Sequence, residues 1–177
     1  REELLATGKA LRETNWKKQQ AAGIDRVPVN DFSFYDQTLD MSCLLGNVPS
    51  RFQWKGGQTD VDTVFTIARG TQNGRSQGGA TPAVHEHGAD CGCGRKGVST
   101  HAGEMTKWFD TNYHYIVPEF QADTKFALSG TKVFDELAEA RALGLEAKPV
   151  LVGPVTYLTL GKVQDPKHHD FDRFSLL

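Results

Sequence analysis

Pro149-Val150-Leu151-Val152-Gly153 is an apolar run without polar alternation, bounded by turn residues. A strand with one face in water alternates apolar with polar residues, so an unbroken run reads as a strand buried on both faces. Such strands belong to parallel sheets covered by helices. The flanks agree. Val133, Phe134, Leu137, Ala140 and Leu143 recur at helical spacing before the run and stop at Gly144, and Pro154 can open a further helix through Leu160. Helix, strand, helix is a segment of an α/β fold.

The rest of the chain extends this pattern. Residues 2 to 22 read as a helix with Leu4, Leu5, Gly8, Leu11, Asn15 and Trp16 on one side and Gly23 as its left-handed stop. Ile24 to Val29 suits a strand, with Pro28 as its weak point. Asn30 to Ser33 is a capping turn, with Asp31 as the cap, before a helix from Phe34 to Leu45. Thr59 or Asp60 caps a third helix carrying Val61, Val64, Phe65 and Ala68. Residues 71 to 102 are Gly-rich and nearly devoid of large apolar side chains, so they read as a long inserted loop. His114 to Val117 and Lys125 to Leu128 read as strands.

A closed (β/α)8 barrel takes roughly 250 residues. A chain of 177 residues carrying such a loop can supply only part of one. The expected fold is therefore α/β, a partial (β/α)8 TIM barrel. The chain opens on Arg1 within a helical pattern, and its last apolar residues, Phe171, Phe174 and Leu177, look like the first turns of an unfinished helix. Residues 1–177 thus read as a piece of a longer chain, and its open sheet edges would invite aggregation.

Composition narrows the function. With 20 Lys+Arg against 22 Asp+Glu there is no basic excess for nucleic acid. No apolar stretch is long enough to span a membrane, and the start lacks a secretory pattern. Three cysteines make no disulfide framework and fit a reducing, cytoplasmic compartment.

Polar chemistry concentrates in Glu104 to Phe120, where Lys107, Asn112 and His114 are interleaved with five aromatics. Burying unsatisfied polar groups costs about 1–3 kcal/mol each, so such a mixture is expensive for a plain core. The plain reading is a solvated Lys107 beside locally bonded Asn112 and His114; the functional reading is a binding site.

Met105 to Phe120 resembles the corresponding segment of the cobalamin-independent methionine synthases, in their N-terminal half. Asp31-Phe32-Ser33-Phe34-Tyr35-Asp36-Gln37, Leu44-Leu45-Gly46-Asn47-Val48-Pro49-Ser50-Arg51 and Lys148 to Thr156 resemble the same family, in the same order, as does the opening helix. The resemblance covers residues 1–70 and about 103–177. It implies two (β/α)8 barrels, of which this chain is part of the N-terminal one, with the first strand and the C-terminal catalytic barrel lying outside it. It implies methyl transfer from 5-methyltetrahydropteroyltri-glutamate to homocysteine, giving methionine. The catalytic Zn2+ would be bound by the C-terminal half, where a coordinating zinc deprotonates the homocysteine thiol. Lys107 matches the family's folate-contacting lysine, and Trp108 and Asn112 are neighbours that could form the same wall. The missing partner is then the C-terminal barrel of the same chain, and residues 1–177 alone should be inactive.

The inserted loop carries its own candidate. His85, His87, Cys91 and Cys93 fall within nine residues, with His101 nearby. The ligand types suit zinc, yet the HxHxxxCxC spacing crowds one ion and lacks the usual CxxC knuckle. A solvated insertion and a local metal site both remain open, and the second would make the chain a non-catalytic truncated relative that binds a ligand or metal. Elsewhere, Cys43 reads as a small core residue, Asp31 and Asp36 as possible paired carboxylates, His168-His169 as a solvated turn, and Gly153-Pro154 as a structural turn at a strand end.

Overall fold

The computed structural model describes residues 1–72, 75–76, 99–165, 167–168 and 170–177. Helix α1 spans Glu2–Ala21 and ends before Gly23, whose φ of +85° gives the left-handed turn expected there. Its buried face differs from the expected one. Gly8, Arg12 and Trp16 are buried at spacings of four, whereas Leu4, Leu5 and Leu11 stay exposed. Gly8 is placed by close packing: a Cβ there would lie 2.8 Å from the Phe34 ring.

Strand β1, Val27–Val29, carries Pro28 and is only three residues long. Asn30 then turns the chain at φ +65°. Helix α2 spans Gln37–Leu44, shorter than expected, because its N-cap is Asp36 rather than Asp31. A 3-10 turn over Ser50–Phe52 leads to helix α3, Val61–Arg69, which Asp60 and Thr63 close with a reciprocal capping box. Strands β2, Thr71–Gln72, and β3, Arg75–Ser76, form a short antiparallel pair. After the inserted loop come β4, Met105–Lys107, and β5, His114–Ile116, also antiparallel. Strand β6, Glu119–Phe120, helix α4, Lys132–Ala142, strand β7, Ala147–Pro149, helix α5, Pro154–Leu160, and strand β8, Lys162–Val163, complete the series. Pro154 opens α5 as expected, and Gly144 (φ +73°) follows α4.

The architecture is mixed α/β. Among the described residues the strands form four two-stranded sheets: β1 with β7 and β6 with β8 are parallel, the other two antiparallel. They do not join into one continuous parallel sheet. Two expected strands change character. Beyond Pro149 the apolar run leaves the ladder after one bond, from the Val150 N–H to the Val29 carbonyl, because β1 ends and turns at Asn30. Leu151 is 52% exposed, so the run is not buried on both faces. Residues 125–128 form no strand. Their neighbourhood instead satisfies the end of α2, with the Ala127 and Ser129 N–H groups donating to the Leu45 and Leu44 carbonyls. The chain ends in a 3-10 turn, Arg173–Leu176, where an amphipathic helix was expected.

Four apolar clusters make the core. One joins Trp16, Val27, Val29, Ala140 and Leu145 of α1, β1 and the α4–β7 region. A second packs Leu39 and Cys43 of α2 on Val64, Ile67 and Ala68 of α3 and Ile116 of β5. The third and fourth seat Tyr115, Val117 and Phe120 against Tyr157, Leu158 and Leu160 of α5.

Candidate functional site

The sequence-predicted site residues share one hairpin. Lys107 at the end of β4 stands opposite His114 at the start of β5. The connecting turn is closed by the Trp108 N–H donating to the Tyr113 carbonyl at 2.7 Å and by the Thr111 hydroxyl donating to the Trp108 carbonyl at 2.6 Å. Phe109 takes a left-handed conformation, φ +48°, to make that turn. Trp108 is half-buried and meets Phe109, Tyr113 and Tyr115 edge-to-face, with ring centroids 5.6, 6.1 and 5.9 Å away. Asn112 is exposed, and its backbone oxygen lies 2.9 Å from His114 Nδ1.

Lys107 is exposed and makes no hydrogen bond or ion pair with any described residue. Its ammonium therefore stands free on a framework held by packed aromatics. An unpaired cation carried by an ordered hairpin at a surface is chemically suited to an anionic group.

Beneath β5 lies a residue whose role the sequence reading missed. Asp36 is 1% exposed. Its Oδ1 accepts the Leu39 N–H at 2.8 Å, capping α2, and its Oδ2 accepts the Ile116 N–H of β5 at 2.9 Å. Burial pushes its carboxyl up from 3.8 to about 6, against the opposing pull of these backbone N–H groups. The local signal was present, an Asp directly before a helix, but the helix was expected to begin three residues earlier, at Phe34. Asp31 by contrast is exposed, so the two carboxylates occupy different environments. One residue further on, the Gln37 N–H donates to the Tyr113 hydroxyl at 3.1 Å.

The remaining candidates are placed as follows. Cys43 is buried in the α2–α3 core, where burial pushes its thiol up and keeps it protonated. His101 is exposed, its Nδ1 3.0 Å from the Ala102 carbonyl oxygen, and His168 Nδ1 lies 3.0 Å from Asp165. Gly153 and Pro154 start α5. His85, His87, Cys91, Cys93 and His169 lie outside the described residues. Among the described residues no three His, Cys, Asp or Glu side chains come together to hold a metal ion, and no helix is long and apolar enough to cross a membrane.

Two further grooves open among the described residues. A polar one of about 570 Å³ is lined by Arg51, His101, Glu104, Glu119 and Lys125, with Arg51 paired to Glu119 and Lys162 to Glu104. A more apolar one of about 560 Å³ lies between α1, α2, α4 and Val150–Val152.

Comparison with known proteins fits the whole length of the chain. The family model described as cobalamin-independent synthase, N-terminal domain, matches residues 1–177. A 5-methyltetrahydropteroyltriglutamate–homocysteine methyltransferase of Salinibacter ruber is 49% identical over 177 residues, and its namesake from Cronobacter sakazakii is 51% identical over the same length. The Yersinia enterocolitica protein of that name is 52% identical over 176 residues. The match takes in 99–100% of this chain and 20% of each relative, so the chain spans about one fifth of their length. The chain belongs to the family of cobalamin-independent methionine synthases, which it matches through their N-terminal domain.

Proposed function

We propose that these residues are the folate-binding-side segment of a methyltransferase that moves the methyl group of 5-methyltetrahydropteroyltri-glutamate to homocysteine, yielding methionine. The observation that carries this reading is the free Lys107 ammonium on its packed hairpin, in a chain whose relatives bear that substrate in their names. The glutamate tail presents several carboxylates. A hydrogen bond from a charged donor to such a group contributes about 1.5–3 kcal/mol, enough to make Lys107 a principal tail contact. Trp108 holds the turn beside Lys107 by its ring contacts, and Asn112 sits exposed at the rim.

In this reading the helices and strands are an arc of a (β/α)8 barrel that the remainder of a longer, cytoplasmic protein completes. Homocysteine and zinc are handled by that remainder. Among the described residues no cluster of His, Cys, Asp or Glu side chains offers a metal site, and in this reading the zinc belongs to the remainder. What the segment does is bind and orient the folate tail.

The test is a methyl-transfer assay. A full-length protein carrying this segment should form methionine from homocysteine and the methylated folate triglutamate in the presence of zinc. The 177-residue chain alone should form none. Turnover by the isolated chain would sink the assignment of the chemistry to the remainder.

A further inference from the structure

We propose that Asp36 is a positioning residue for the folate tail: its buried carboxylate ties the first turn of α2 to the backbone of β5 and so fixes the hairpin that presents Lys107. This rests on the reading of Lys107 as a tail contact.

A hairpin of two three-residue strands is marginal by itself in water and needs a tether. Just past β5 the Val117 N–H closes toward the β4 side by donating to the carbonyl of Glu104, the residue before β4, while the Ile116 N–H points away from β4. Among the described residues β4 and β5 form a sheet of two strands, so no third strand receives that outward donor. A buried, unpaired N–H is costly, and Asp36 supplies the acceptor. The neighbouring residue adds a second tie, the Gln37 N–H to the Tyr113 hydroxyl. The two ties meet β5 and its approach at residues 113 and 116, on either side of His114, the partner of Lys107.

Asp36 is too deeply buried for a ligand to touch, at 1% exposure. Any effect it has on binding therefore passes through the hairpin. Glutamate and glutamine at this position would be too long for the same dual reach, and asparagine offers one acceptor where two donors converge. Serine keeps the helix cap, a role it fills well, but its shorter side chain cannot also reach β5.

The experiment uses a full-length protein carrying this segment, with Asp36→Ser, Asp36→Asn, Lys107→Ala and the Asp36→Ser/Lys107→Ala double variant. Dissociation constants are measured for methylfolate triglutamate and for the monoglutamate, which lacks most of the tail charge. Turnover at saturating triglutamate and hydrogen exchange at the Ile116 amide are measured alongside. Asp36→Ser should weaken triglutamate binding about tenfold, the equivalent of one charge-assisted contact, and leave the monoglutamate within about twofold. Exchange at Ile116 should quicken and kcat should hold. The double variant should be no weaker than Lys107→Ala. Asp36→Asn, which keeps side-chain length and one acceptor, should fall between wild type and Asp36→Ser.

Equal losses for both folates would mark a merely structural residue and overturn the proposal. So would full triglutamate affinity in Asp36→Ser when Lys107→Ala has lost it. If Lys107→Ala itself binds both folates like wild type, the tail-contact reading fails, and the proposal falls with it.

Discussion

Asp36 and Tyr157 show how much of this molecule's order depends on single buried polar atoms. The Tyr157 hydroxyl, deep in the core, shares a hydrogen with Ser42 Oγ at 2.8 Å and accepts from Asn47 Nδ2 at 2.9 Å, joining α5 to α2 and the loop after it. Asp36 carries a charge into a similar setting. Its carboxyl sits at about 6 when folded against 3.8 when free, so folding favours the protonated form. The stability this raised value contributes is complete below pH 3.8 and is lost as pH rises through about 6. The groups that interact with it are Asp40 and Cys43 from α2, Tyr113 from the turn before β5 and Tyr115 from β5, and Asp40 pushes the same way. Urea midpoints of wild type and Asp36→Asn should therefore diverge with pH. The variant should gain relative to wild type between pH 4 and 7, by no more than about 3 kcal/mol at 1.36 kcal/mol per pKa unit. A constant difference across that range would mean that the carboxyl does not titrate there.

At the scale of elements, capping chemistry made much of the secondary structure legible. Gly23, Asp60, Gly144 and Pro154 each sit where a helix starts or stops. What stayed hidden depends on partners distant in sequence. Leu4, Leu5 and Leu11 have the apolar spacing on α1, yet the buried side chain in their place is Arg12. It is buried because Glu139 of α4 accepts from its Nε and Nη2 at 3.1 and 2.7 Å, with Glu136 3.8 Å away, contacts 124 to 127 positions off that no local pattern can announce. Burial pushes Glu136 up, opposed by Lys132 and Arg12. Removing the cation strands carboxylates in the α1–α4 seam. Arg12→Ala should cost about 3–5 kcal/mol, read as a lowered urea midpoint, as is usual when one partner of a buried pair is lost. A cost near that of an exposed pair, below about 1 kcal/mol, would show the seam to be solvated. Strands fared worse than helices for the same reason. Residues 125–128 have strand-like composition, but Ala127, with Ser129 just beyond, spends its N–H on the carbonyls ending α2, and Val150 and Leu151 outrun the three-residue strand they would pair with.

At the scale of the whole molecule, the Lys107 hairpin was readable as chemistry before it was readable as structure. The mixture of Lys107, Asn112 and His114 with aromatics drew attention to this segment, and the structure shows its arrangement: Trp108 packed at the centre, Lys107 and Asn112 outside. The Asp36 tie beneath it was not readable, since it joins positions 80 apart. Elsewhere the chain leaves Leu4, Leu5, Leu128, Leu151 and Val155 exposed, in keeping with a segment that spans one fifth of its relatives' length. The central claim is that this segment grips a folate through its glutamate tail, and calorimetric titration tests it most directly. Triglutamate and monoglutamate methylfolates would be titrated into a full-length protein carrying the segment, before and after Lys107→Ala. The account predicts that the substitution weakens triglutamate binding by about tenfold or more and leaves the monoglutamate unchanged, because one charge-assisted hydrogen bond corresponds to at least that factor. An unchanged preference for the triglutamate after Lys107→Ala would contradict it.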